Sequence, residues 1–164
     1  RKAIHHLKFS YKPGNAAALI DLSYPYLERF LSSGGTSFMT LPDYDIIVSV
    51  PMHPRRKRKR GYNQSELLAY RLAKYMGVPH SGRVMVKEVN TPAQSTLGKG
   101  GRFRNLIGVF RVKAFDLIKE KKVLLVDDVM TTGSTLEQCG RALIEAGALK
   151  VDAFVVAMGK KVIR

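Results

Sequence analysis

Val123-Leu124-Leu125-Val126-Asp127-Asp128-Val129-Met130-Thr131-Thr132-Gly133-Ser134-Thr135 is the stretch whose reading decides the fold. Its four leading apolar residues predict a strand buried on both faces. Two acids end that run, and small residues rich in hydroxyls follow. A helical pattern then begins, with Leu136, Cys139, Leu143 and Ala146 near one face. Gly147 stands where a helix stops in the left-handed conformation.

A strand, a tight loop and a helix N-terminus together make a cradle for phosphate. The first amides of a helix lack intrahelical partners, and the helix dipole favours an anion beside them. Thr131, Thr132, Ser134 and Thr135 add hydroxyl donors, and Gly133 lets the backbone approach a ligand closely. Asp127 and Asp128 fall at the carboxyl end of the strand, where open α/β sheets bind ligands. Carboxylates there suit sugar hydroxyls or hydrated magnesium and would repel a phosphate beside them. The stretch therefore offers one subsite for phosphate and one for a diol or metal. A phosphorylated sugar satisfies both.

The rest of the chain is consistent with a single α/β domain over 1–164, with a helical part over 1–40. At 164 residues and 45% hydrophobic content it can bury a real core. No apolar run reaches the length of a membrane span, and no secretory signal opens the chain. It starts on Arg1 rather than Met, so part of the N-terminus is expected to be missing. The single cysteine, Cys139, reads as a buried inert thiol; it permits no intrachain disulfide and points to the cytoplasm. Twenty-eight basic against 13 acidic residues give a net charge of +15. That surplus calls for an anionic partner without saying which kind.

Arg1 to Phe9 reads as a short basic helix, and Asn15 caps a second helix that Pro25 should kink or break. Ile46 to Val50 is a buried strand. Pro51-Met52-His53-Pro54 follows, then six consecutive bases, Arg55 to Arg60, read as a long basic loop. Asn63 and Glu66 have capping-box spacing for a helix that Gly77 ends. Further strands are expected over 84–89, 108–112 and 151–157, all in a mostly parallel central sheet. Between Asn90 and Ile107 the pattern collapses into a long basic loop rich in glycine. Walker, dinucleotide, serine-hydrolase and zinc patterns are absent.

Taken together, these loops resemble the type I phosphoribosyltransferases, and within them the ComF (competence protein F) group. Three segments carry the likeness: Val50-Pro51-Met52-His53-Pro54 through Arg60-Gly61-Tyr62-Asn63-Gln64; Thr91-Pro92-Ala93-Gln94 with Arg102, Asn105 and Phe110; and Asp127 to Thr135. The resemblance implies a parallel sheet flanked by helices, under a small N-terminal helical hood. It implies that Thr131, Thr132, Gly133, Ser134 and Thr135 grip the 5′-phosphate of phosphoribosyl pyrophosphate (PRPP) or another phosphorylated ribose. Asp127 and Asp128 become the catalytic pair, holding the ribose hydroxyls and magnesium, the latter directly or through water. Pyrophosphate is expected at His53, Arg55, Arg58, Arg60, Asn63 and Gln64. Gln94, Arg102 and Asn105 are expected on a flexible loop that closes over the site.

Members of that group often carry a four-cysteine zinc module ahead of this region. This sequence has none, either removed or never present, and no zinc is expected in the chain. The resemblance also implies a cytoplasmic part in natural transformation, beside single-stranded DNA and other competence proteins. No residue is an obvious general acid or base for an incoming nucleobase. Two readings therefore stand: a phosphoribosyl-transferring enzyme, or a non-catalytic accessory protein that senses PRPP and binds DNA or a partner through its basic surface.

Overall fold

A computed structural model describes residues 44–89 and 108–159, together with Ala18, Ile20, Asp21 and Pro25, which are helical. The sheet starts at β1 (Ile46–Ser49), whose four residues are all buried. Its β-branched side chains suit a strand covered on both faces. β2 (His80–Ser81) and β5 (Lys122–Met130) pair with β1 on either side, and β6 (Lys150–Met158) pairs with β5. All three pairings are parallel, in the order β2-β1-β5-β6. The expected parallel sheet is thus present, with helices on both faces.

Side chains alternate across the strands and divide the core in two. On one face Ile47, Leu124 and Val126 pack with Ile20 and with Leu68, Ala69, Leu72 and Ala73 of α2 (Gln64–Met76). On the other, Ile46, Val48, Val123 and Leu125 pack with Leu136, Cys139 and Leu143 of α3 (Ser134–Glu145). Full burial of a leucine such as Leu68, Leu72 or Leu143 stabilises the fold by about 1.5–3 kcal/mol. α3 ends as its sequence predicts. Gly147, at φ +99°, donates to Ile144 O at 2.9 Å, and Ala148 N donates to Leu143 O at 3.1 Å.

Three expectations need correction. The strands near 84–89 and 108–112 exist, as β3 (Met85–Lys87) and β4 (Phe110–Val112), but they form a separate antiparallel ribbon. Their burial explains this: Phe110 and Val112 are buried while Arg111 between them is exposed. A ribbon covered on one face can carry that charge, and a central parallel strand could not. The place in the sheet goes instead to β2, two residues with no apolar signal.

The basic run is a helix, α1 (Pro54–Arg60), and not a loop. Pro54 fits the first helical turn, and His53 caps it, Nδ1 accepting from Arg55 N at 3.2 Å. Gly61, at φ +87°, closes the other end by donating to Lys57 O at 2.7 Å. Four of the six bases stand in the last turn, where the helix dipole favours cations.

The acids do not end their strand: β5 runs on to Met130, which pairs with Met158 of β6. Partner supply accounts for this, because β1 stops at Ser49, opposite Val126, while β6 continues. Beyond that step the acids satisfy backbone amides themselves. Asp127 Oδ1 accepts from Asp128 N, and Asp128 Oδ1 accepts from Val129 N, each at 2.9 Å. The expected opening helix, the Pro25 kink and the loop over 90–107 lie outside the described residues, Pro25 itself being helical.

Candidate functional site

From β1 the chain departs through α1 and α2 to β2 on one side; from β5 it departs through α3 to β6 on the other. Where neighbouring parallel strands send their connections in opposite directions, a crevice opens outside their carboxyl ends. The carboxyl ends of β1 and β5 form that crevice here.

On the β5 side lies a concavity lined by Asp127, Val129, Met130, Thr131, Gly133, Thr135 and Leu136. Gly133, at φ +83°, caps α3 in the left-handed region, where a side chain would be strained. Its backbone carbonyl accepts from Glu137 N at 2.9 Å, so the helix begins at once and its first amides face the loop. Thr131 and Thr135 stand on the lining; Thr132 and Ser134 do not, and share a hydroxyl hydrogen bond of 2.9 Å. Of the two acids, Asp127 faces the concavity, while Asp128 is 3% exposed.

On the β1 side, Val50 N donates to Val126 O at 2.9 Å and ties the start of the loop to β5. Asn63 is buried at the start of α2, and its Oδ1 accepts from Ser65 N at 3.2 Å. That is half of the expected capping box. The other member, Glu66, pairs with Lys57 of α1 at 2.7 Å instead. Arg60 donates to Gln64 Oε1. These contacts fasten the basic helix to the first turn of α2. Arg56 and Arg60 are half-buried on the body side of α1, while Arg55 and Arg58 are exposed. Gln94, Arg102 and Asn105 lie outside the described residues.

Sequence reasoning missed three residues of this region. Ser65 Oγ donates to Asp127 Oδ1 at 2.7 Å across 62 residues of chain. Gly159 N donates to Met130 O at 2.7 Å, and a Cβ there would stand 3.2 Å from Thr131 Cγ2, so the bare backbone seats the loop. Lys87 is half-buried, with Nζ 5.4 Å from the centre of the Phe110 ring. Burial holds its ammonium below the usual lysine range and Arg56 adds to that, while Cys139 and Asp127 oppose it. None of the three sent a local signal in the sequence, Ser65 being one more hydroxyl in the first turn of a capped helix. Cys139 is fully buried, and burial pushes its thiol well above the usual range, as an inert core residue requires.

Among the described residues no three His, Cys, Asp or Glu side chains converge as a metal site. Nor is any helix among them long and apolar enough to cross a membrane.

Known proteins resemble this chain in sequence and in fold. Residues 63–162 match the model of the phosphoribosyl transferase domain family. The chain is 35% identical over 151 residues to the DNA utilization protein YhgH of Escherichia coli K12, covering 92% of this chain and 63% of that protein. It is 31% identical over 123 residues to competence protein F of Haemophilus influenzae, covering 74% of this chain and 53% of that protein. The chain thus spans less than two thirds of the length of these relatives. In fold it superposes on an adenine phosphoribosyltransferase with a TM-score of 0.53, at 18% identity, over 91% of this chain and 72% of that one. Glutamine PRPP amidotransferase from B. subtilis gives the same TM-score and identity, over 87% of this chain and 26% of that one. The chain belongs to the phosphoribosyltransferase domain family, on the branch of competence protein F.

Proposed function

We propose that the crevice binds a phosphorylated ribose, PRPP or a close relative, as part of cytoplasmic DNA handling in natural competence. The observation that carries this is the pairing of Asp127 with the open first turn of α3 on one concavity. The 5′-phosphate belongs against Thr131, Thr135 and the amides that follow Gly133, where the helix dipole favours an anion. The ribose hydroxyls belong against Asp127, with buried Asp128 fixing the backbone behind it. Of the two carboxylates expected to hold magnesium, Asp127, on the lining, would hold an ion that reaches the site on the ligand's own phosphates, and Asp128 would act from behind it through the backbone. When bound, such an ion neutralises charge on the pyrophosphate.

In a transfer reaction the bond between C1 of the ribose and the pyrophosphate oxygen breaks as C1 bonds to the nitrogen of a nucleobase or amine, which gives its proton to solvent, and charge grows on the departing oxygens. Arg56 and Lys87, on the body side of the basic helix and on β3, are the cations suited to that charge. His53, Asn63 and Gln64 shape the turn that presents them, by capping α1 and α2 and holding Arg60.

A second reading has its own observation. Arg55 and Arg58 lie exposed on the outer side of α1. They suit a polyanion such as single-stranded DNA, with PRPP sensed rather than consumed.

Calorimetry with PRPP, with and without magnesium, tests the shared core of both readings. Asp127→Asn should weaken magnesium-dependent PRPP binding at least tenfold, and unchanged affinity would defeat the sugar-phosphate assignment. Pyrophosphate release with one nucleobase or amine selects the enzyme. Salt-dependent DNA binding without release selects the accessory protein.

A further inference from the structure

Asp127 is the carboxylate of the pair that faces the concavity, and its orientation decides what it can hold. Two donors converge on one of its oxygens: Ser65 Oγ at 2.7 Å and Asp128 N at 2.9 Å. The backbone donor comes from the next residue on the same strand and is available to any aspartate so placed. The hydroxyl comes from another element. Ser65 is 2% exposed in the first turn of α2, and its own amide is held by the Asn63 cap. A buried hydroxyl that donates to a carboxylate makes a charge-assisted bond, stronger than one between neutral groups. With two donors fixed on Oδ1, the plane of the carboxylate is set, and with it the edge presented to the concavity.

We propose that Ser65 is the positioning residue for Asp127, so that the seating of α2's first turn controls the ligand-facing acid. Its consequence for ribose and magnesium rests on the function proposed above; the orientation itself does not. Lys57 to Glu66 and Arg60 to Gln64 fasten that same turn to the basic helix. The acid on β5 and the cations on α1 are therefore held by one short stretch, Asn63 to Glu66.

The test uses the full chain and reads Asp127 directly. The side-chain carboxyl carbon of Asp127 is followed by carbon-detected NMR in the parent, Ser65→Ala and Ser65→Thr, without ligand and during titration with magnesium chloride alone. Calorimetry with magnesium-PRPP and with inorganic phosphate accompanies it. Ser65→Ala should move the Asp127 resonance, and Ser65→Thr, which restores a hydroxyl, should return it toward the parent position. Loss of one hydrogen bond to a charged group should weaken magnesium-PRPP roughly tenfold. Inorganic phosphate, which needs only the loop, should bind within about twofold of the parent value.

An Asp127 resonance unmoved in Ser65→Ala overturns the proposal, as does an equal loss of inorganic phosphate binding, which would mean general disruption. If Ser65→Ala does not fold, Ser65→Cys, of similar volume and with a weak donor, must displace the Asp127 resonance from the parent position, and an unmoved resonance overturns the proposal. If the parent fails to bind magnesium-PRPP, the ribose reading falls, and the resonance comparison still decides the role of Ser65.

Discussion

Asn63 donates from Nδ2 to the carbonyl of Val50 at 2.9 Å, while its Oδ1 accepts the amide of Ser65. One buried side chain thus joins the end of β1 to the start of α2, with all of α1 looped out between them. Asn63→Ala removes both bonds and strands a buried carbonyl and amide, so a loss of about 2–4 kcal/mol is expected in urea denaturation. Asn63→Asp keeps the cap but sets a carboxylate oxygen against the Val50 carbonyl. It should destabilise at neutral pH and recover in part as the acid is protonated. An aspartate as stable as the parent at pH 7 would show that the bond to Val50 is unimportant.

Gly159 should matter to the loop that begins at Thr131, and to the phosphate proposed there, more than to the fold. Its backbone accepts an L side chain, yet the new Cβ would press on the Thr131 methyl at 3.2 Å. Gly159→Ala should shift Thr131 by a few tenths of an ångström and weaken sulfate or phosphate several-fold, with a melting midpoint close to that of the parent. Calorimetry with inorganic phosphate and a thermal scan separate the two effects.

The two sides of α1 should come apart under mutation. Arg55→Gln with Arg58→Gln removes exposed charge, so the slope of log affinity for single-stranded DNA against log salt should fall by about 1.4. PRPP affinity should change little. Arg56→Gln or Lys87→Met should do the reverse, weakening PRPP and leaving the DNA slope reduced by less than one contact. Equal effects from both sets would show that the helix acts as undivided positive charge.

His80 predicts an acid sensitivity of the fold. Burial lowers its affinity for protons below the ordinary histidine value, and Glu66 opposes this only in part. A base depressed in the folded state contributes stability that is fully present above its unfolded value near 6.5 and lost as pH falls through its folded value. Stability should therefore decline from about pH 6.5 downward. His80→Gln should flatten that decline in urea titrations between pH 7 and pH 5. An unchanged slope would assign the acid limb to other groups.

What was legible in the sequence follows from what kind of signal each element sends. β1 and β5 announce themselves because a strand buried on both faces must be apolar throughout, and α2 and α3 because their caps and stripes are local. β2 sends nothing, since two residues, His80 and Ser81, need only backbone geometry to pair with Ile47 and Val48. The six bases hid α1, whose helicity comes from His53, Pro54 and Gly61 at its ends rather than from any stripe within it. The turn from β5 into α3 was legible for the same reason as the caps: it is one continuous stretch. Ser65 and Gly159 were not, because each acts on a residue that only the folded chain brings near.

The step where β5 outlasts β1 has a consequence for how such a protein can change. Asp127, Val129 and Met130 take their place from β6, whose register with β5 keeps one offset from Lys122↔Lys150 to Val126↔Phe154 and on to Met130↔Met158. The ledge that bears the acids and the turn into α3 is therefore measured from one neighbour, and the segment after Val50 hangs from the other. Insertions, deletions or a new charge pattern between Val50 and Asn63 would remodel the basic helix while the register of the ledge stays set by β6. The backbone of the ledge answers to β6 and the basic helix to β1, and the bond from Ser65 to Asp127 is where the two meet.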